Sequence, residues 1–322
     1  MIYKIKNSKF RTGGLIMRLS VLMGSVSQGL LWSILAIGVY ITYKILDYAD
    51  LTTEGSYPLG AAVAAQMILS GANPFVATFV SMLAGMAAGF VTGFLNTKLK
   101  IPSLLAGILS MTGLYSVNLR IMGKANLPLL KQDTVISIVS KMGFDTSTAV
   151  FVVGIVAVLV VILILWWFFG TEKGFAIRAT GDNSNMIRAL GVNTNSMVIL
   201  GLVISNGLIA LSGGIMAQYN GYADVGMGTG TIVIGLASVI IGEVLFGHSS
   251  IIRSLFAVVL GSILYRIIIA FVLSKGLVPT DLKLLSSVLL AVCLSLPLIK
   301  EKIYNFTEKL HGSKNKESET NA

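Results

Sequence analysis

Long apolar runs alternate with short polar breaks along nearly the whole chain. Eight runs, at 19–46, 74–95, 101–122, 148–169, 197–217, 229–246, 251–273 and 284–299, are close to the roughly 17–25 residues that a helix needs to cross a bilayer core. Hydrocarbon offers backbone N–H and C=O groups no partner, so runs of this kind are expected to be helical. A ninth run, 57–70, is alanine-rich and shorter, as expected of a re-entrant or broken helix. The pattern predicts an all-α, polytopic membrane protein of about eight transmembrane helices plus that one short segment.

Charge then sets the orientation. Lys4, Lys6, Lys9, Arg11 and Arg18 precede the first run, and Lys300, Lys302, Lys309, Lys314 and Lys316 follow the last. Positive charge favours the cytoplasmic side, so both tails are expected there. Two inside ends require an even number of crossings, which leaves segment 57–70 as the one that does not cross. Lys98, Lys100, Lys173, Arg178, Arg188 and Arg253 then fall inside, and Asp47, Asp50, Glu54, Asp133, Asp145, Asp224 and Asp281 outside. The resulting division is a basic cytoplasmic tail at 1–18, a transmembrane domain at 19–299 with a cytoplasmic loop at 170–196, and a polar cytoplasmic tail at 300–322. Residues 1–17 lack the apolar core of a signal peptide. Met17, just before the first run, suggests a second translation start.

Composition narrows the chemistry. Hydrophobic residues make up 55% of the 322 and charged residues only 12%, about half the charged share of a soluble domain. No interior loop is long enough to house a soluble catalytic domain. Cys293 is the single cysteine, and His248 and His311 lie far apart. That argues against a disulfide framework, a Cys/His metal site and a Ser/His/Asp triad. The net charge of +10 reads as an orientation signal, with the lipid bilayer rather than nucleic acid as the partner.

Several features inside the apolar runs stand out. Gly85, Gly89 and Gly93 recur every four residues, a spacing that lets another helix approach closely. Arg120, Glu243 and Arg266 are charges within spans, and Glu243 and Arg266, on successive spans, are expected to pair. Two stretches, 50–60 and 224–231, carry an acidic residue and run through glycine, threonine or proline into a helix start. Their Asp50, Thr52, Thr53, Glu54, Gly55 and Asp224, together with Glu243, are candidates for a translocation path or its entrance. At an offset of about 176, Gly71 meets Gly247 and Gly85 meets Gly261, which suggests two duplicated halves.

The most specific segment lies between Phe169 and Met197. Residues 171–179 can form a short helix that Gly181 ends. Asp182 or Asn183 can cap a second helix running to Leu190, which Gly191 stops. Two short helices joined by a turn make a compact, projecting knob.

Thr171, Gly174, Arg178, Ala179, Gly181, Asn183, Ala189, Gly191 and Asn193 match the coupling segment of permeases from ABC importers of the ribose and branched-chain amino acid type, which the chain resembles from about residue 17 to 300. The stretch 51–62 is similar to the branch associated with tryptophan/tyrosine-type binding proteins and departs from the sugar-permease form. The resemblance implies a transport subunit without catalytic residues, cofactor or metal. It further implies a cytoplasmic ABC ATPase that holds the ATP, an extracellular or lipid-anchored substrate-binding protein and a second permease copy, all in a bacterial cell membrane. Arg178 and Arg188 are the expected polar contacts to the ATPase. The absence of a phosphate-binding G-x-x-x-x-G-K-[ST] loop agrees. The expected cargo is a small polar solute such as an aromatic amino acid, with a sugar, nucleoside or branched-chain amino acid as alternatives. An ion-driven secondary transporter is the competing class, with Glu243 as its ion-path carboxylate. A membrane enzyme and a non-transporting scaffold follow.

Overall fold

The computed structural model describes residues 2–247, 250–275, 281, 284–292 and 295, with residues 2–20 by backbone only. Helix α1 (Ile2–Tyr40) continues through a π-helical turn, Ile41–Ile45. It is followed by α2 (Thr53–Leu69), α3 (Pro74–Thr97), α4 (Ser103–Met122), the short α5 (Val135–Lys141), α6 (Thr146–Phe169), α7 (Glu172–Ala189), α8 (Thr194–Asn220), α9 (Thr231–Phe246) and α10 (Ile251–Ser274). Strands β1 (Asn126–Pro128) and β2 (Tyr222–Asp224) pair antiparallel. Among the described residues, seven helical segments are long and apolar enough to cross a membrane. Of the expected 284–299 span, residues 293, 294 and 296–299 lie outside the described residues, as does the whole 300–322 tail.

Local sequence sets where these helices start and stop. Asn73, Asp145, Asn193 and Ser250 each accept a hydrogen bond from a first-turn N–H of α3, α6, α8 and α10, which satisfies donors that the helix itself leaves open. Gly123 and Gly221 end α4 and α8 in the left-handed region, where glycine has no Cβ to clash.

Helices α1 and α8 form the centre and run antiparallel. Ser205 donates to the Gly38 carbonyl at 2.8 Å and Ser212 to the Leu31 carbonyl at 2.9 Å. Helix α3 lies against α8 along the expected glycine face. A Cβ on Gly85 or Gly89 would overlap the carbonyls of Asn206 and Leu202, and one on Gly93 would lie 3.0 Å from Ile199 Cα. Small residues bring these backbones together where apolar attraction between helices is weak.

Two expectations about topology change. Gly181 of α7 abuts the Ile45 carbonyl, and Lys44 pairs with Glu243 near the end of α9. The first span therefore ends on the face that carries α7, and the chain reaches Val21 from the opposite face. The basic N-terminal tail does not share a side with the knob, because α1–α8 packing fixes the direction of α1 whatever charge precedes it.

Nor does the 57–70 region turn back. Residues 46–52 lead in from the α7 face, and Ser56 meets Asn206, halfway along α8. The far end of α2 reaches Ile68, which packs in one cluster with Met122, Leu127 and Ala217 at the other face. An extended lead-in plus a half-length helix thus completes a crossing, and the parity argument that removed it fails.

The second broken segment mirrors the first. Residues 222–230 descend from the β1–β2 face, and α9 starts beside Glu54 and ends at Lys44. Gly71 and Gly247, 176 residues apart, both follow these half-helices at positive φ (+84° and +73°). Helices α1 and α8, α2 and α9, and α3 and α10 occupy corresponding places with opposite directions. The reversed directions and matching pairings have the form of an inverted repeat rather than a parallel one, an arrangement that places broken helices at mid-membrane.

Two measurements check this arrangement. Gly89→Leu should lower stability in detergent by about 1–3 kcal/mol through overpacking. Gly113→Ala, with nothing within 4 Å of its would-be Cβ, should be neutral or slightly stabilising, and thermal unfolding compares the two. Single cysteines in a Cys293→Ser background should react with an impermeant thiol reagent from one side at Lys98 and Ala189 and from the other at Gly71 and Arg18. Labelling of Arg18→Cys from the knob side would contradict the fold.

Candidate coupling and transport sites

Helix α7 is two short helices merged across a kink at Asn183 (φ −156°, ψ 92°). Thr171 caps the first, accepting from Gly174 N at 3.4 Å, and Asn183 caps the second, accepting from Met186 N at 3.0 Å. Of the two expected caps, Asn183 takes the role. Gly181 does not stop the first helix by a left-handed turn. It is the closest approach of the knob to the transmembrane body, since a Cβ there would run into the Ile45 carbonyl. Gly174 is likewise closed against the Phe168 carbonyl. Gly191 ends the knob at φ +87°, and Asn193 starts α8 by accepting from Ser196 N at 3.3 Å.

Ile177, Thr180 and Ile187 are buried and anchor the knob, while its outer face is left open. Arg178 is exposed, with its guanidinium 5.7 Å from the Phe175 ring centre. Arg188 donates to Thr194 Oγ1 at 2.9 Å. Ala179 is half-buried and Ala189 exposed. Phe175, Met186 and Leu190 are 57%, 52% and 71% exposed, an apolar set on a helix pair that is otherwise polar. Beneath the knob, a cavity of about 210 Å³ is lined by Arg178 and Asp182 from α7 and by Tyr40, Lys44, Glu243 and Ser254 from the transmembrane helices.

Glu243 and Arg266 do not pair. Glu243 lies one turn from the end of α9 and takes Lys44 as its partner at 3.3 Å. Arg266, further along α10 towards the other face, stacks its guanidinium over Trp32 at 4.3 Å. Successive antiparallel spans put sequence neighbours together only near their connecting turn, and these two residues are too far from it.

The first broken stretch is held inside the helix bundle. Asp50, expected in an outer loop, is only 3% exposed. Its carboxylate accepts from Asn206 Nδ2 at 2.7 Å and from Thr52 N at 2.9 Å. Asn206 Oδ1 accepts in turn from Ser56 at 2.7 Å. Thr52 and Thr92 share a hydrogen bond of 2.8 Å that continues to Ser110 at 2.7 Å. Thr53 donates to the Asp50 carbonyl at 3.1 Å, and Asn118 to that of Gly55 at 3.1 Å. Such partners make a buried carboxylate and unwound backbone tolerable at membrane depth.

Glu54, in the first turn of α2, accepts from Gly230 N at 2.9 Å. One carboxylate thus sits where two half-helices begin, the ends that favour negative charge. Asp224 lies at the β1–β2 mini-sheet, accepting from Gly226 N at 2.7 Å and Asn126 Nδ2 at 3.1 Å. Exposed Asp133, in the loop before α5, has its carboxyl held below the usual range by the hydrogen bond and charge of the Lys141 ammonium.

Asn206, Asn118 and Lys44 escaped sequence reasoning. Asn206 and Asn118 are amides inside apolar spans, a pattern that calls for partners. Lys44 sits in the last turn of a long first run and reads as a simple end marker.

Comparison with known proteins places these features in a family. Residues 21–295 match the family described as the branched-chain amino acid transport system permease component. A tyrosine transport system permease protein of Clostridioides difficile (strain R20291) is 42% identical over 277 residues, 86% of this chain and 91% of the relative. An uncharacterized protein of Rickettsia prowazekii (strain Madrid E) is 35% identical, covering 86% of this chain and 98% of its own length. A nucleoside ABC transporter permease protein of Lactococcus lactis subsp. cremoris (strain MG1363) is 32% identical over 132 residues, 41% of this chain and 39% of that protein. No solved structure matches. With the family matched across most of its length, the chain belongs to the branched-chain amino acid transport system permease family and is a multi-pass permease component of a binding-protein-dependent importer.

Proposed function

We propose that the chain forms the translocation path of an ABC importer for an aromatic amino acid of the tyrosine type, taking its energy from a separate ATPase that docks on α7. The observation that carries this reading is the knob itself. It is two capped helices with an open apolar face (Phe175, Met186, Leu190) and a backbone-to-backbone seat of Gly181 on the end of α1. A loop that merely connected α6 to α8 would need neither.

The face bearing α7 carries Lys44, Lys98, Lys100, Lys173, Arg178 and Arg188; it is cytoplasmic in this reading because the ATPase docks there, and not by charge count, since the opposite face holds Lys4, Lys6, Lys9, Arg11, Arg18, Lys124, Lys131 and Lys141. The N-terminal tail is then external. Force applied to the knob enters the transmembrane body at Ile45 and Lys44. From there it reaches α9 through the Lys44–Glu243 pair and α8 through Arg188–Thr194. These rigid elements meet the two broken segments, so a displacement of the knob acts on the mid-membrane break between the halves. A binding protein delivers cargo at the β1–β2 face, and a second permease copy completes the path.

The carrier alternative draws on Glu243 as an ion-path carboxylate. Its partner Lys44 and its place beside the knob favour a mechanical role instead. The cargo rests on the tyrosine-permease relative.

Affinity purification of the chain from its native host should bring down an ABC ATPase, and proteoliposomes containing both subunits and the binding protein should take up L-tyrosine only with ATP inside. Uptake by the chain alone under a proton or sodium gradient would overturn the importer reading. Gly181→Leu should cut uptake at least tenfold while ATP hydrolysis by the assembled complex persists, because the Ile45 seat can no longer close. Coupled transport at the wild-type ratio would contradict the role given to α7.

A further inference from the structure

Towards the face opposite α7, the meeting of α1, α2 and α10 holds a cluster that neither the knob nor the broken stretches explain. Trp32 and Tyr57 stack with ring centres 5.3 Å apart, and the Arg266 guanidinium lies 4.3 Å from the Trp32 ring. Tyr57 is 1% and Trp32 8% exposed. Despite this burial, Trp32 Nε1, Tyr57 Oη and Arg266 Nε have no hydrogen-bond partner among the described residues. Neither described ion pair involves Arg266. The ionisable groups nearest its guanidinium are the neutral phenols of Tyr57, Tyr265 and Tyr219, and Tyr219 already accepts from Gln28.

Buried polar groups are nearly always paired, and unpaired ones call for an explanation. The orphans here share one chemistry. The indole N–H and the guanidinium N–H can only donate, and the phenol can donate as well. A guanidinium beside two further donors, inside an aromatic wall, suits an anionic planar acceptor. Arginine is the side chain best matched to carboxylate, and the Trp32–Tyr57 pair places aromatic rings beside it, the partners that another aromatic ring prefers.

We infer that Arg266, Trp32 and Tyr57 form a cargo site in the half of the path opposite the knob, in which Arg266 takes the carboxylate of an aromatic amino acid and the Trp32–Tyr57 pair takes its ring. This rests on the aromatic-cargo reading above and adds the residues that would recognise such a cargo. Depth supports the placement. Leu31, next to Trp32, meets Ser212, and the Tyr57 carbonyl meets Gly213, so the stack lies on the β1–β2 side of Asn206 and Asp50. Cargo entering from that side meets Arg266 before the polar lock.

The test uses the complete complex of permease, ATPase and binding protein in proteoliposomes loaded with ATP, reading uptake of radiolabelled L-tyrosine. Arg266→Gln should reduce uptake at least tenfold while co-eluting with the ATPase as the wild type does. Arg266→Lys, which keeps the charge, should recover a substantial part, and Trp32→Phe, which keeps a ring, should lose less than Trp32→Ala. Wild-type-like uptake by Arg266→Gln would overturn the site and leave the cargo reading standing. Equal loss in Trp32→Phe and Trp32→Ala, with assembly intact, would show that the ring is not what matters and would also overturn it. A wild-type complex that imports another solute and no aromatic amino acid would remove the cargo reading and this inference together.

Discussion

Everything distinctive in this molecule depends on how a broken backbone survives inside a bilayer. Hydrocarbon supplies no hydrogen bonds, so each unwound residue must find its partners within the protein. Asn206 provides them at the first break: its amide nitrogen donates to Asp50 and its oxygen accepts from Ser56. That one side chain ties the carboxylate before α2 to the first turn of α2 itself. Without it, a buried carboxylate would be left short of a partner at a depth where this is costly. The second break is held more lightly, by Glu54 on Gly230 N and by Thr231 on the Gly228 carbonyl. The two halves thus share a plan and differ in how firmly the break is pinned.

Glycine makes that plan possible at close quarters. Gly60 and Gly213 let α2 and α8 touch backbone to backbone, and Gly242 and Gly261 do the same for α9 and α10. Helices in lipid gain little from apolar attraction and rely on contact and hydrogen bonding, so each such contact is part of what keeps a half-length helix upright. The peripheral helices are different. Leu163, Ile164 and Trp167 on α6 and Phe79 and Phe90 on α3 are exposed, as expected of side chains turned to lipid.

Much of this was legible in the sequence. Apolar run length located the spans, four-residue glycine spacing marked the packing face of α3 but not its partner, and the 171–193 pattern located the knob with its caps to within a residue. An offset of 176 was visible too, but not its inversion, because direction is a property of packing that identical glycines do not record. The charge count at Lys4 to Arg18 pointed the first helix the wrong way relative to the knob. A rule based on loop charge carries less weight than the serine-to-carbonyl bonds that fix α1 against α8. Asp50 looked like a surface carboxylate because its locking amide lies 156 residues away, beyond the reach of any local pattern.

The π-helical turn at Ile41–Ile45 gives the knob's seat a particular mechanical character. A π turn takes in one residue more than an α turn, and its bonding is less favourable, so it is a soft register element at the end of an otherwise regular rod. Tightening it to α geometry would rotate Lys44 by roughly 100° about the helix axis, carrying its ammonium away from Glu243. The end of α1 thus brings a soft turn, the ion pair to α9 and the carbonyl on which Gly181 rests into five consecutive residues.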